Sequence, residues 1–163
     1  MRVAHLALLA LAAGCTDHVA ATQIVVKVQS DIKPAEMQRA AIVVERASDG
    51  ATLFSRCVCV GTGAGCKPFP LSLGLGPGMM GGGGAPFRVR AQGFAIDCGG
   101  APLVEQTAVV SFVPGSSLEL DLYLYRACEG VRCDAGKTCA EGAACMNEER
   151  KTLPPLSEDM APP

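Results

Sequence analysis

The chain predicts an all-β protein: an antiparallel β-sandwich of about seven strands over residues 22–126, followed by a small disulfide-rich knot. Three observations carry this. Short apolar segments alternate with polar residues at period two, as in half-buried strands. Turn signals rich in Gly, Pro, Asp and Ser separate them at regular spacing, and no long helix interrupts them. Finally, Cys128–Cys145 puts four cysteines within 18 residues that hold almost nothing to bury, so this stretch can fold only when cross-linked.

Taken in order, Gln23–Gln29 (QIVVKVQ) places Ile24, Val26 and Val28 on one face, with β-branched residues dominant. Ser30–Pro34 breaks the strand, and Pro34–Arg39 fits a single helical turn opened by proline. Ala41–Arg46 is a second strand. Ser48-Asp49-Gly50 is a hairpin turn, and Ala51–Val60 returns as the third strand. Gly61–Gly65 is a flexible loop. Phe69–Leu73 is a short fourth strand, whose Pro70 points to a sheet edge. Gly74–Pro86 (GLGPGMMGGGGAP) is low in complexity and expected to be disordered or mobile. Phe87–Gly93 alternates Phe87, Val89 and Ala91 against Arg88, Arg90 and Gln92, which predicts a half-buried strand with a solvated basic face. Phe94–Pro102 is a turn carrying Cys98, and Leu103–Val113 is another strand, ending at Pro114-Gly115. Ser117–Tyr125 turns Leu118, Leu120, Leu122 and Leu124 inward, and Glu119, Asp121, Tyr123 and Tyr125 outward. An immunoglobulin-like or a transthyretin-like topology fits this string of strands. Residues 127–146 form the cysteine-rich module, and the proline-rich, mixed-charge residues 147–163 read as a disordered tail.

The amino terminus sets the location. Arg2 precedes an apolar run, Leu6–Ala13, that is too short for a membrane span of about 20 residues, as in a secretory signal peptide over residues 1–14. Its ending, Leu11-Ala12-Ala13-Gly14-Cys15, resembles the lipobox of bacterial lipoproteins, with Ala12 where that family usually carries Leu, Val or Ile. The resemblance implies lipidation of Cys15 by a diacylglyceryl group on its sulfur, cleavage before it, and acylation of the new amino terminus. Several acyl chains would make the attachment effectively permanent. Thr16, rather than Asp, after the cysteine implies sorting to the outer membrane. Residues 15–21 then form a short lipidated tether.

Nine cysteines are an odd number for an exported chain. Lipidation of Cys15 accounts for one. The other eight are disulfide candidates in an oxidising compartment: Cys57, Cys59, Cys66 and Cys98, then Cys128, Cys133, Cys139 and Cys145. Without mixing, each group has three possible pairings. Cys57 and Cys59 share a strand face and are poorly placed to bond to each other, which leaves Cys66 and Cys98 as their nearest partners.

The run FVPGSSLELDLYLYRACEGVRCDAGKTCAEGAAC is similar to the end of uncharacterised exported lipoproteins abundant in myxobacteria, where a sandwich strand leads through Arg-Ala-Cys into a cysteine knot. TQIVVKVQSDIKPAEMQRA resembles their first strand. That family carries no assigned activity. By analogy with small extracellular knots, Cys128 is expected to pair with Cys139 and Cys133 with Cys145.

Composition excludes several functions. Removal of residues 1–14 leaves 13 basic and 16 acidic residues, a net charge of about −3, with no electrostatic footprint for nucleic acid. Gly136-Lys137-Thr138 has the ending of a phosphate-binding loop, but Val131 stands where its first glycine is required. Gly61-x-Gly63 and Gly74-x-Gly76 open no helix. Cysteine spacings fit neither structural zinc nor a C-x-x-C redox pair. His5 lies in the signal and His18 in the tether, so the domain holds no histidine base. The expectation is therefore a non-enzymatic, lipid-anchored module of the cell envelope, without cofactor or metal. It would sit at the outer membrane, on the periplasmic face or the cell surface, and contact envelope proteins or polysaccharide. The alternative is a carbohydrate- or peptide-binding surface domain that uses the 74–86 loop.

Overall fold

A computed structural model describes residues 21–80 and 84–157. Their elements are β1 (Gln23–Ser30), β2 (Arg39–Arg46), β3 (Thr52–Cys59), β4 (Leu71–Leu75), β5 (Phe87–Phe94), β6 (Val104–Val110), β7 (Ser117–Leu124), β8 (Lys137–Cys139) and β9 (Cys145–Asn147). Among the described residues, only short 3-10 turns accompany them. One sheet has the order β4-β1-β7, the second β3-β2-β5-β6, and β8-β9 is a small hairpin.

The inward side chains of both sheets form one core. Ile24, Val26 and Val28 of β1, Val44 of β2, Leu75 of β4, Val89 and Ala91 of β5, and Leu122 and Leu124 of β7 are fully buried. Each large side chain buried this way contributes about 1.5–3 kcal/mol. Period-two patterning is thus converted directly into facing apolar layers. Asp49-Gly50 closes the β2–β3 hairpin: Gly50 takes φ +71°, and Asp49 Oδ1 accepts from the Ala51 amide at 3.0 Å. At Gly93 the absent side chain makes room for Met37, whose Sδ would collide with an added Cβ.

Three features depart from the expected arrangement. First, the pairing is not wholly antiparallel. β7 runs parallel to β1, in register Ile24↔Leu118 through Ser30↔Leu124. The turn after β6 carries the chain from the second sheet to the first, so β7 meets β1 running in the same direction.

Second, the segment 74–86 is not one long loop. Gly74 and Leu75 complete β4, pairing with Val25 and Ile24, and Leu75 has no exposed surface. Pro77–Met80 forms a 3-10 turn against β3. Glycine content masked a strand end that β1 needs as its ladder partner. β4 is an edge strand, and Pro70 lies just before it.

Third, residues 147–157 are docked rather than disordered. The Val109 amide donates to Glu148 O at 2.8 Å, and the Arg150 amide to Val109 O at 2.9 Å. Further on, the Glu119 amide donates to Pro154 O and the Leu156 amide to Ser117 O, both at 2.9 Å. The segment therefore ties β6, an edge of one sheet, to β7, an edge of the other. Proline does not prevent this, because an edge position needs only its carbonyl. Residues 158–163 lie outside the described part.

Candidate functional site

Cys15, with the signal and most of the tether, lies outside the described residues. The eight remaining cysteines form four disulfides: Cys57–Cys98, Cys59–Cys66, Cys128–Cys139 and Cys133–Cys145. Their Cα separations of 6.2, 4.4, 5.9 and 5.7 Å fall in the ordinary range for a bridge. The two groups do not mix, Cys57 and Cys59 each bond elsewhere, and the knot has the pairing that the analogy implies. With every one of these sulfurs paired, none is left as a thiolate ligand or nucleophile. Among the described residues no group of three His, Cys, Asp or Glu side chains is placed to hold a metal ion.

The knot is not an isolated bead. Cys128 and Cys139 are buried in the main core. Thr138 Oγ1 accepts from the Thr107 amide at 2.8 Å, and the Gly130 amide donates to Leu103 O at 3.3 Å, so the module covers the β6 edge.

The expected solvated basic face of β5 is instead a set of ion pairs. Arg88 donates to both carboxylate oxygens of Glu148, from Nη2 at 2.7 Å and Nε at 3.1 Å, and Thr107 Oγ1 donates to the same group at 3.0 Å. These hydrogen bonds, Arg88 first, hold the Glu148 carboxyl below its ordinary range despite its burial. Arg90 pairs with Glu45 at 2.9 Å and with Glu105 at 3.7 Å. Gln92 donates to Glu105 at 2.6 Å. The acids come from β2, β6 and the carboxy-terminal segment, which period-two reading of one strand does not reveal.

On β7, Glu119 is engaged by Lys27 at 2.8 Å and by Ser157, and the Lys27 contact lowers its pKa. Asp121 is raised instead, first by loss of hydration and then by the charge of Glu119. Tyr123 and Tyr125 stack with ring centroids 4.3 Å apart. The row is a supported outer face, with Glu119 committed to holding the carboxy-terminal segment.

Two clefts remain. One, of about 410 Å³, separates the Ala101–Glu105 segment from the knot, and its Lys137 is tied to Asp134 at 3.6 Å. The other, of about 240 Å³, opens between β3 and β4, on the side that the carboxy-terminal segment leaves uncovered. Its floor is Ile42, Val58, Leu71 and Leu73, and its polar groups are Arg56, Lys67 and Ser72. Arg56 stands opposite Ile42 in the ladder, between Phe54 and Val58 on the inward row of β3. Lys67 is fixed by two backbone hydrogen bonds, from its amide to Cys59 O at 2.9 Å and from the Gly61 amide to its carbonyl at 3.0 Å, beside the Cys59–Cys66 bridge. Sequence reading passed over both cations. The available signal was Arg56 itself, a charge at the period-two position of Phe54 and Val58.

No family model matches the chain, and neither a curated protein nor a solved structure matches it.

Proposed function

We propose that the protein is a lipid-anchored module of the bacterial cell envelope, attached to the outer membrane through Cys15 and acting by contact rather than catalysis. The observation that carries this reading is the division of nine cysteines into one at the end of a signal-like apolar run and eight in disulfides. Four disulfides fit an oxidising, extracytoplasmic location. The likeness to exported myxobacterial lipoproteins points the same way.

The geometry of the tether adds support. Thr22 Oγ1 accepts from the Gly115 amide at 2.8 Å, and Ser117 Oγ donates to Ala21 O at 3.0 Å, so the chain enters the body beside the β6–β7 turn. Thr16–Ala21 can span at most about 20 Å. The same end of the body exposes Met79 and Val113, at 42% and 51%. A short tether would hold this end at the lipid surface. We also infer that the body follows the transthyretin-like alternative. In support, β1 and β2 lie in different sheets, whereas an immunoglobulin constant-type domain keeps its first two strands in one.

Metabolic labelling with palmitate tests the anchor. The parent chain should be labelled and pellet with membranes, and C15S should lose both properties. An unlabelled parent chain would overturn the reading.

A further inference from the structure

We propose that the cleft between β3 and β4 binds a small organic anion with a short aliphatic arm, such as a medium-chain carboxylate. Arg56 and Lys67 hold the charge, and Ile42, Val58, Leu71 and Leu73 receive the arm.

The argument starts from the side of the body on which the cleft opens. β6 and β7 are both covered by the carboxy-terminal segment, whereas β3 and β4 are edges facing each other across a gap. That gap is bounded by Pro77–Met80 where the turn packs on β3, and by the Val60↔Lys67 bridge near the other end of the strand. The space between is short and apolar-floored. Its volume lies below the roughly 300–1,000 Å³ of sites for drug-sized ligands, which limits the occupant to a few carbons beyond its head group.

The charge is the second part. Lys27 on β1 and Arg88 and Arg90 on β5 each have a carboxylate partner within 4 Å. Arg56 and Lys67 have no ion pair among the described residues, yet they line the same small cleft. Arg56 occupies a position whose strand neighbours face the core. Lys67 sits on a disulfide-clipped loop, which holds its backbone beside the cleft and leaves its exposed side chain able to reach over it. Two uncompensated cations above an apolar floor complement an anion on an aliphatic arm. A guanidinium adds the fork that matches carboxylate or phosphate oxygens. An inward charge on an edge strand also deters strand-to-strand association, and the test separates that role from binding.

The oxidised full chain, labelled with 15N, is titrated separately with hexanoate, hexyl phosphate, hexylammonium and acetate, and amide shifts are followed. Hexanoate or hexyl phosphate should shift Ile42, Val58, Lys67 and Leu71–Leu73 saturably, and whichever binds more tightly identifies the head group. Hexylammonium should leave these residues unmoved, and acetate should bind more weakly. R56Q and K67Q should each weaken binding of the preferred anion about fivefold or more. Equal binding of hexylammonium, shifts confined to other regions, or unchanged affinity in both variants would overturn the proposal. So would association of R56Q into dimers with no anion-induced shifts in the parent chain, since Arg56 would then only guard the edge.

Discussion

Replacing Glu148 with Gln removes one charge from the junction of β5, β6 and the carboxy-terminal segment while keeping the side chain's size. Glu148 is 8% exposed and accepts two hydrogen bonds from Arg88 and one from Thr107. Breaking a buried ion pair by removing one partner typically costs about 3–5 kcal/mol. Here Arg88 keeps 26% of its side-chain exposure and can be partly rehydrated, and Gln retains one acceptor. The expected loss is therefore about 2 kcal/mol. Urea unfolding of the oxidised chain at neutral pH measures it as a lower midpoint with an unchanged slope. A cycle with R88M should show positive coupling of at least about 1 kcal/mol. The pH dependence follows from the sign of the shift. Folding depresses the Glu148 carboxyl, so its contribution is fully present above the unfolded value of about 4.3 and is lost as pH falls through the lower folded value. The gap between parent and E148Q should close on acidification. A neutral-pH loss under about 0.5 kcal/mol, or additivity with R88M, would refute the docking of this segment.

Other perturbations test separate parts of the account. L75A should destabilise by about 2–5 kcal/mol in the same unfolding assay, because Leu75 is a fully buried strand residue; a neutral result would return it to a loop. G93A should lower stability by about 1–3 kcal/mol, since its Cβ meets Met37 and Val104. The paired variant C133S/C145S should cost about 3 kcal/mol and make the knot sensitive to protease while the β-sheet circular dichroism persists; simultaneous loss of the sheet signal would show that the body depends on that bridge. Partial reduction with stepwise alkylation and fragment sequencing should assign Cys57 to Cys98 and Cys59 to Cys66; a Cys57–Cys66 bridge would contradict the arrangement at β3.

Much of the body is legible because burial and period coincide. Ile24, Val26 and Val28, or Phe87, Val89 and Ala91, announce both a strand and its buried face. What a strand's own pattern does not contain is its partner, which is why the parallel β1–β7 pair is invisible in either segment alone. Composition misleads in two places. Glycines around Leu75 and prolines after Leu153 describe the freedom of an isolated chain, but ladder bonds to β1 and β7 restrain both segments. Arg88 and Arg90 illustrate the same limit for charge, since their acids are separated from them in sequence and brought near only by folding. Arg56 is the opposite case, a locally readable anomaly whose meaning depends on an open edge that only the topology supplies.

The sharpest test is the intact mass of the chain extracted from native membranes, measured before and after reduction and alkylation. The account predicts a polypeptide starting at Cys15, carrying acyl groups on that residue, and taking up alkylating agent at eight sites only after reduction. An unprocessed amino terminus with Cys15 bare, or thiols that alkylate without reduction, would contradict it.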